Sequence, residues 1–185
     1  MEYHGNLTRT AFENALTPRS LQVTRIIHLA LMIGVWVYFL CVVVIYFLYQ
    51  DLRADADAVH MISMMTLIHL ALLGGALVLG QLLFLRIFSP RGLPAAFSEA
   101  DTGTLAAQVV SRQHVAIVVR LAAMEGAAFF GLAICTLGAV NGTLQTAPLY
   151  WVNMLSALVF LVFGVVTFPT KERLVGWFEK NFTPL

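Results

Sequence analysis

Four stretches of this chain are long and apolar enough to cross a lipid bilayer, and they constrain the fold before any single residue does. They run approximately over Ile26–Tyr49, Met61–Phe88, Val115–Val140 and Tyr150–Phe168. A helix needs roughly 20 mostly apolar residues to span the hydrocarbon core, and each stretch comes close to that length or exceeds it. Together they take more than half of the 185 residues, leaving little for a soluble domain. Composition points the same way: 59% of residues are hydrophobic and 11% charged, against about 45–50% and about 25% in soluble chains. The mean hydropathy is +0.83. The expected fold is all-α, an integral-membrane four-helix bundle forming a single transmembrane domain over residues 1–185.

The first apolar run is expected to remain as an anchor. It is longer than the 7–15 residues of a signal-peptide core and follows a mixed polar segment that includes Pro18 and Arg19. Basic residues then set the orientation. Arg9, Arg19 and Arg25 precede the first span, Arg86, Arg91 and Arg112 surround the loop at 89–114, and Lys171, Arg173 and Lys180 follow the fourth span. The first loop, QDLRADADA, sets one Arg against three Asp, and the third, NGTLQTAP, has no charge. Lys and Arg in short loops stay on the cytoplasmic side. Both termini and the 89–114 loop are therefore expected in the cytoplasm, with the chain multi-pass in a bacterial inner membrane and the lipid bilayer as its first partner.

Local signals refine this layout. Pro90, Gly92 and Pro94 break the second loop, and the third helix is expected to start near Gly103 with Asp101 or Thr102 as N-cap. Pro169 and Thr170 end the fourth span. The segment TKERLVGWFEKNF gathers Leu174, Val175, Trp177 and Phe178 on one side, as an amphipathic helix lying in the membrane interface would. Tyr46, Tyr49, Tyr150 and Trp151 fall at outer span ends, the position of an aromatic belt. Small residues at four-residue spacing let membrane helices approach closely. The third span has the row Ala123, Ala127, Gly131 and the pair Ala122 and Gly126. The second has Ala71 with Gly75 and Ala76 with Gly80. A packed hairpin of these two spans is expected.

Polar residues inside the spans sort by depth. At about 1.5 Å per residue, His28, Gln81, Arg120 and Thr167 lie near the cytoplasmic interface, where Gln81 is a candidate partner for Arg120. Thr66, His69 and Asn153 form a second layer outward of centre, drawn from two helices. Interhelical hydrogen bonds of this kind contribute about 0.6 kcal/mol each. Cys41 and Cys135 sit in apolar runs without metal or redox spacing, which is a packing pattern. No two of His4, His28, His60, His69 and His114 share the depth a membrane haem requires. Nor is there a Ser–His–acid pairing, a phosphate loop, zinc spacing or a basic nucleic-acid patch. No enzyme activity, cofactor, metal or nucleic-acid partner is expected.

Glu125 is the exception to this plain chemistry. It lies roughly 6 Å inward of the midplane and about 140° round the helix axis from Arg120. An acidic side chain near the bilayer centre costs about 2.5–3.5 kcal/mol on insertion scales. One structural answer is a carboxyl donating to a backbone carbonyl where Gly34 or Gly164 thins a neighbouring helix. The functional answer follows from the rule that an intramembrane ionisable residue is a site by default. Glu125 would then handle a proton or cation, with Arg120, His28 and Gln81 forming a cytoplasmic vestibule.

Two resemblances bear on these alternatives. The stretch SRQHVAIVVRLAAMEGAAFFGLA resembles the second helix of rotary ATPase c-subunits (proteolipids), in which an Arg-Gln turn precedes an apolar helix with one proton-carrying carboxylate. That likeness implies Glu125 as carrier and the glycine-rich second span as its hairpin partner. The chain departs from the c-subunit pattern in having two further spans, only 13 residues from Arg112 to Glu125 and no proline after Gln113. The whole chain is similar to a group of small uncharacterised bacterial four-helix membrane proteins. These share a start like TRIIHLALMIGVWVYF, a third span like VVRLAAMEGAAFFGLA and an end like FPTKERLVGWFE. This likeness implies a fold, no activity, and one shared plan for His28, Glu125 and residues 169–171. Three functions remain open from sequence. They are a non-enzymatic accessory or scaffold component, as homo-oligomer or membrane-complex subunit; proton or cation handling through Glu125; and binding of lipid or another hydrophobic ligand by Arg120 and the C-terminal segment.

Overall fold

A computed structural model describes residues 7–89 and 102–182. The described chain is helical, with no strand among the described residues. Its elements are α1 (Arg9–Ala15), α2 (Pro18–Leu48), α3 (Ala56–Ile87), α4 (Thr102–Val140), α5 (Thr143–Thr146), a 3₁₀ segment (Pro148–Met154), α6 (Leu155–Val166) and α7 (Lys171–Phe182). Four of them are long and apolar enough to cross a membrane: α2, α3, α4 and the continuous run Pro148–Val166. This is a membrane protein by length and composition of its helices. The 39 residues of α4 extend to about 58 Å, well beyond a hydrocarbon core of about 30 Å.

Short polar side chains start the helices. The Thr8 hydroxyl accepts from the Ala11 N–H at 3.1 Å to begin α1. Thr17 does the same for Ser20 at 3.2 Å, with Pro18 opening α2 where a missing N–H matters least. Asp55 accepts from Ala58 at 2.8 Å to begin α3. Each satisfies a donor that the first helical turn leaves open. Asp101 and the breakers Pro90, Gly92 and Pro94 lie outside the described residues.

Two connections differ from the sequence expectation. The uncharged NGTLQTAP segment holds α5 rather than only a loop. Gly142 turns the chain with φ +79, and a Cβ there would stand 2.7–2.8 Å from the backbone of Arg53 and Ala54, so only glycine fits. Asn141 Oδ1 accepts from the Thr143 N–H at 3.1 Å. The fourth span, expected as a helix from Tyr150, opens instead as the 3₁₀ segment and becomes α-helical only at Leu155. Pro148 lacks an N–H, and the Asn153 side chain turns back to the Tyr150 carbonyl at 2.9 Å, which favours the tighter winding.

The chain divides into two compact units, and α2, α3 and α4 contribute to both. One comprises Met1–His28, Gln81–Arg120 and Phe168–Leu185. Its core is aromatic. Phe12 of α1 stacks on Phe178 of α7 with centroids 4.4 Å apart, Phe182 lies 5.1 Å from Phe88, and Trp177 meets the Phe84 ring edge-on at 5.5 Å. Leu174, Val175 and Phe178 are buried. The apolar face of this amphipathic segment is covered by protein. Burying such a side chain is worth about 1.5–3 kcal/mol.

The other unit comprises Leu29–Gly80 and Leu121–Thr167. Along α3 the buried residues Ile62, Thr66, His69 and Leu73 recur every three or four positions and form one seam. Val35 and Val42 do so at wider spacing on α2. The burial is unequal: 44% of the apolar window of α4 is covered but only 11% of that of α2, which leaves Ile33, Trp36 and Leu40 of α2 exposed. The small-residue rows contribute unequally too. Gly131 lies against Asn153, Ser156 and His69, and Gly164 against Met32. Ala127 is buried. An added Cβ at Gly75 or Gly126 meets nothing within 4 Å, so neither marks a close approach within the chain.

Candidate functional site

The α3 seam brings two polar side chains, Thr66 and His69, to the same helix face, and the 3₁₀ winding turns Asn153 toward them. All three are buried, His69 and Asn153 completely. Asn153 Nδ2 donates to Thr66 Oγ1 at 2.8 Å and to the Tyr150 carbonyl at 2.9 Å. Its Oδ1 faces His69 Nδ1 at 2.8 Å. The Thr66 hydroxyl donates to the Ile62 carbonyl at 2.8 Å, and Ser156 Oγ donates to the Asn153 carbonyl at 3.1 Å. Buried polar groups need this degree of pairing, since an unmet donor or acceptor costs about 1–3 kcal/mol. Gly131 makes the approach possible. A Cβ there would stand 2.5 Å from Ser156 Oγ and 2.7 Å from His69 Cε1. Ser156 and Gly131 complete the outer layer read from sequence, and Phe130 packs its ring 6.1 Å from the imidazole.

The candidates expected near the cytoplasmic interface fall in the other unit, apart from Thr167, whose hydroxyl turns back to the Phe163 carbonyl of its own helix at 2.7 Å. His28 is fully buried and meets the Phe168 ring edge-on at 5.4 Å. The Arg120 guanidinium carbon lies 5.3 Å from the centroid of Phe84, a cation–π distance. Gln81 is half-buried and makes no hydrogen bond among the described residues, so it is not the partner expected for Arg120.

Three contacts in that unit were not foreseen. Arg25 Nε donates to the Pro169 carbonyl at 3.0 Å, Arg173 Nη1 to the Phe168 carbonyl at 2.8 Å, and the buried Gln113 Nε2 to the Leu174 carbonyl at 2.9 Å. The first two carbonyls lie in the turn that follows α6. The proline was a readable signal of where that helix ends. Which arginines reach those carbonyls depends on tertiary packing.

Glu125 stands differently. It is half-buried, and it makes no hydrogen bond or ion pair among the described residues. The glycines expected to offer it a carbonyl lie against other side chains: a Cβ at Gly164 would meet Met32 at 2.8 Å, and one at Gly34 would meet Phe129 at 3.7 Å. Its neighbours on the α4 surface, Ala122 and Gly126, are exposed. Glu125 belongs to one compact unit, and Arg120, His28 and Gln81 belong to the other.

Outside the spans, Arg9 bonds Glu13 at 2.6 Å and Glu179 at 2.9 Å, and Lys171 approaches Glu13 at 3.7 Å. The Arg9 hydrogen bond holds the Glu13 carboxyl below the usual carboxylate range. No group of three or more His, Cys, Asp or Glu among the described residues could hold a metal ion. No known protein family, curated protein or solved structure matches this chain.

Proposed function

We propose that this chain is a non-enzymatic component of a bacterial inner membrane, an accessory or scaffold subunit with both termini cytoplasmic, that joins another transmembrane helix through the α4 face around Glu125. The observation that carries this reading is the combination at Glu125: a half-buried carboxyl without a partner among the described residues, beside Gly126, where an added Cβ meets nothing within 4 Å. An acid in a spanning helix costs about 2.5–3.5 kcal/mol, and a donor from another chain would offset that. Small neighbours let such a helix come close. The orientation rests on the Lys and Arg distribution.

The same exposure favours a second reading, in which Glu125 faces lipid and exchanges a proton, as its resemblance to a c-subunit carboxylate implies. Labelling with a hydrophobic carbodiimide, which requires a protonated carboxyl reachable from lipid, separates the two. A covered Glu125 is expected to resist the reagent in native membranes and to react once detergent has dispersed the chain to monomers. Equal labelling in both states, declining as pH rises, would overturn association and support proton exchange.

A further inference from the structure

The hydrogen bonds around Asn153 fix the proton of His69. Both N–H groups of the Asn153 amide are committed, to Thr66 Oγ1 and to the Tyr150 carbonyl. Neither acceptor could take their place, because the Thr66 hydroxyl spends its own hydrogen on the Ile62 carbonyl. The Asn153 atom facing His69 is therefore the amide oxygen, an acceptor only. Nδ1 at 2.8 Å from it must carry the ring hydrogen. In the neutral imidazole this leaves Nε2 as a bare lone pair, and Nε2 is buried with no hydrogen-bond partner. The ring fits there because residue 131 of α4 is a glycine whose Cβ would collide with it.

We propose that Nε2 of His69 is a proton-binding site inside the span, with Asn153 holding the acceptor nitrogen open. The ligand is a proton and no bond other than N–H forms, so the imidazole becomes an imidazolium with a hydrogen on each ring nitrogen. The described contacts of the site are Thr66 of α3, Phe130 and Gly131 of α4, Asn153 of the 3₁₀ segment and Ser156 of α6, none of them titratable. This site is independent of the association proposed above.

The test is ¹⁵N NMR of the full chain, labelled at histidine and held in lipid nanodiscs, with His69 assigned by difference from a His69→Gln variant. At about pH 8 the expected spectrum shows hydrogen on Nδ1 and a bare Nε2, and on lowering to about pH 5, the range over which histidine charge changes matter, Nε2 gains hydrogen while Nδ1 keeps its own. A neutral form carrying its hydrogen on Nε2 would overturn the proposal, as would an Nε2 that stays bare to the low end of the series. Thr66→Val removes one acceptor of the Asn153 amide at nearly constant volume. It is expected to introduce a fraction of the Nε2–H tautomer at high pH. If the variant folds and its tautomer stays pure, Asn153 does not depend on Thr66 to hold the ring and the proposed device is wrong.

Discussion

Asn153 and Glu125 belong to the same compact unit, and both place strong hydrogen-bonding chemistry in helices apolar enough to cross a membrane. Their surroundings are opposite. Asn153 is fully buried and every donor and acceptor of its amide is answered by the chain, through His69, Thr66 and Tyr150. Glu125 is half-buried and answered by none of the described residues. Pairing, more than depth, decides what a polar side chain does in such a helix. A saturated group ties elements of its own chain together. An unsaturated one adds nothing to the fold and carries the cost of insertion until something outside the chain meets it.

The comparison breaks most readily at the glycines beside the two residues. Gly131→Ala places a Cβ 2.5 Å from Ser156 Oγ and 2.7 Å from His69 Cε1, with the Asn153 carbonyl closer still. Overpacking of that kind costs about 1–3 kcal/mol or more, and a lower unfolding midpoint in detergent is the expected result. Gly126→Ala, next to Glu125, meets nothing within 4 Å and should shift stability by no more than about 0.5 kcal/mol. Equal behaviour of the two variants would mean that the saturated cluster is not packed as described.

Side-chain replacement tests the same contrast. Asn153→Leu removes three side-chain hydrogen bonds that sum to roughly 2 kcal/mol at the membrane average, and it strands the His69 Nδ1–H. Glu125→Gln loses no bond to a described residue and should leave unfolding within about 0.5 kcal/mol of the parent. A Glu125→Gln chain destabilised as much as Asn153→Leu would show that the carboxyl does have an internal partner, and the contrast would collapse.

Much of the saturated cluster was legible in the sequence. Depth follows from a fixed rise per residue, so Thr66, His69 and Asn153 fall in one layer. Their three-residue spacing also puts Thr66 and His69 on one helix face. Gly131 belonged to a readable row of small residues. Rotation was not legible. In a membrane helix the lipid side and the protein side are both apolar, so the pattern that tells a soluble helix which way to turn is lost, and the exposure of Glu125 and the open space at Gly75 and Gly126 could not be read. The apolar face of α7 was plain, but amphipathicity does not say whether lipid or protein covers it. The answer came from Phe12, in a polar segment that carried no span signal. Arg25 and Arg173 were read as orienting charges, and their second role needed the carbonyls of Pro169 and Phe168 to be placed beside them.

Glu13 offers the same carboxylate as Glu125 in a third setting, and the smallest expected effect. Arg9 and Lys171 face it, and water does as well, since 27% of its side chain is exposed. Its folded pKa lies below its ordinary value because of the Arg9 hydrogen bond. A depressed carboxylate stabilises the folded state above its unfolded pKa, and that contribution disappears as pH falls through the folded value. Acidification should therefore loosen α1 on α7, raising amide exchange in Arg9–Ala15 while Phe12, stacked on Phe178, keeps the helix docked. Exposed ion pairs are weak and screened by salt, so the rise should be slight and should shrink at high ionic strength and in Glu13→Gln. Full release of α1 by acid alone would show that charge, not the Phe12 stack, holds it. A carboxylate in water would then do the structural work that the comparison of Asn153 with Glu125 assigns to pairing away from water.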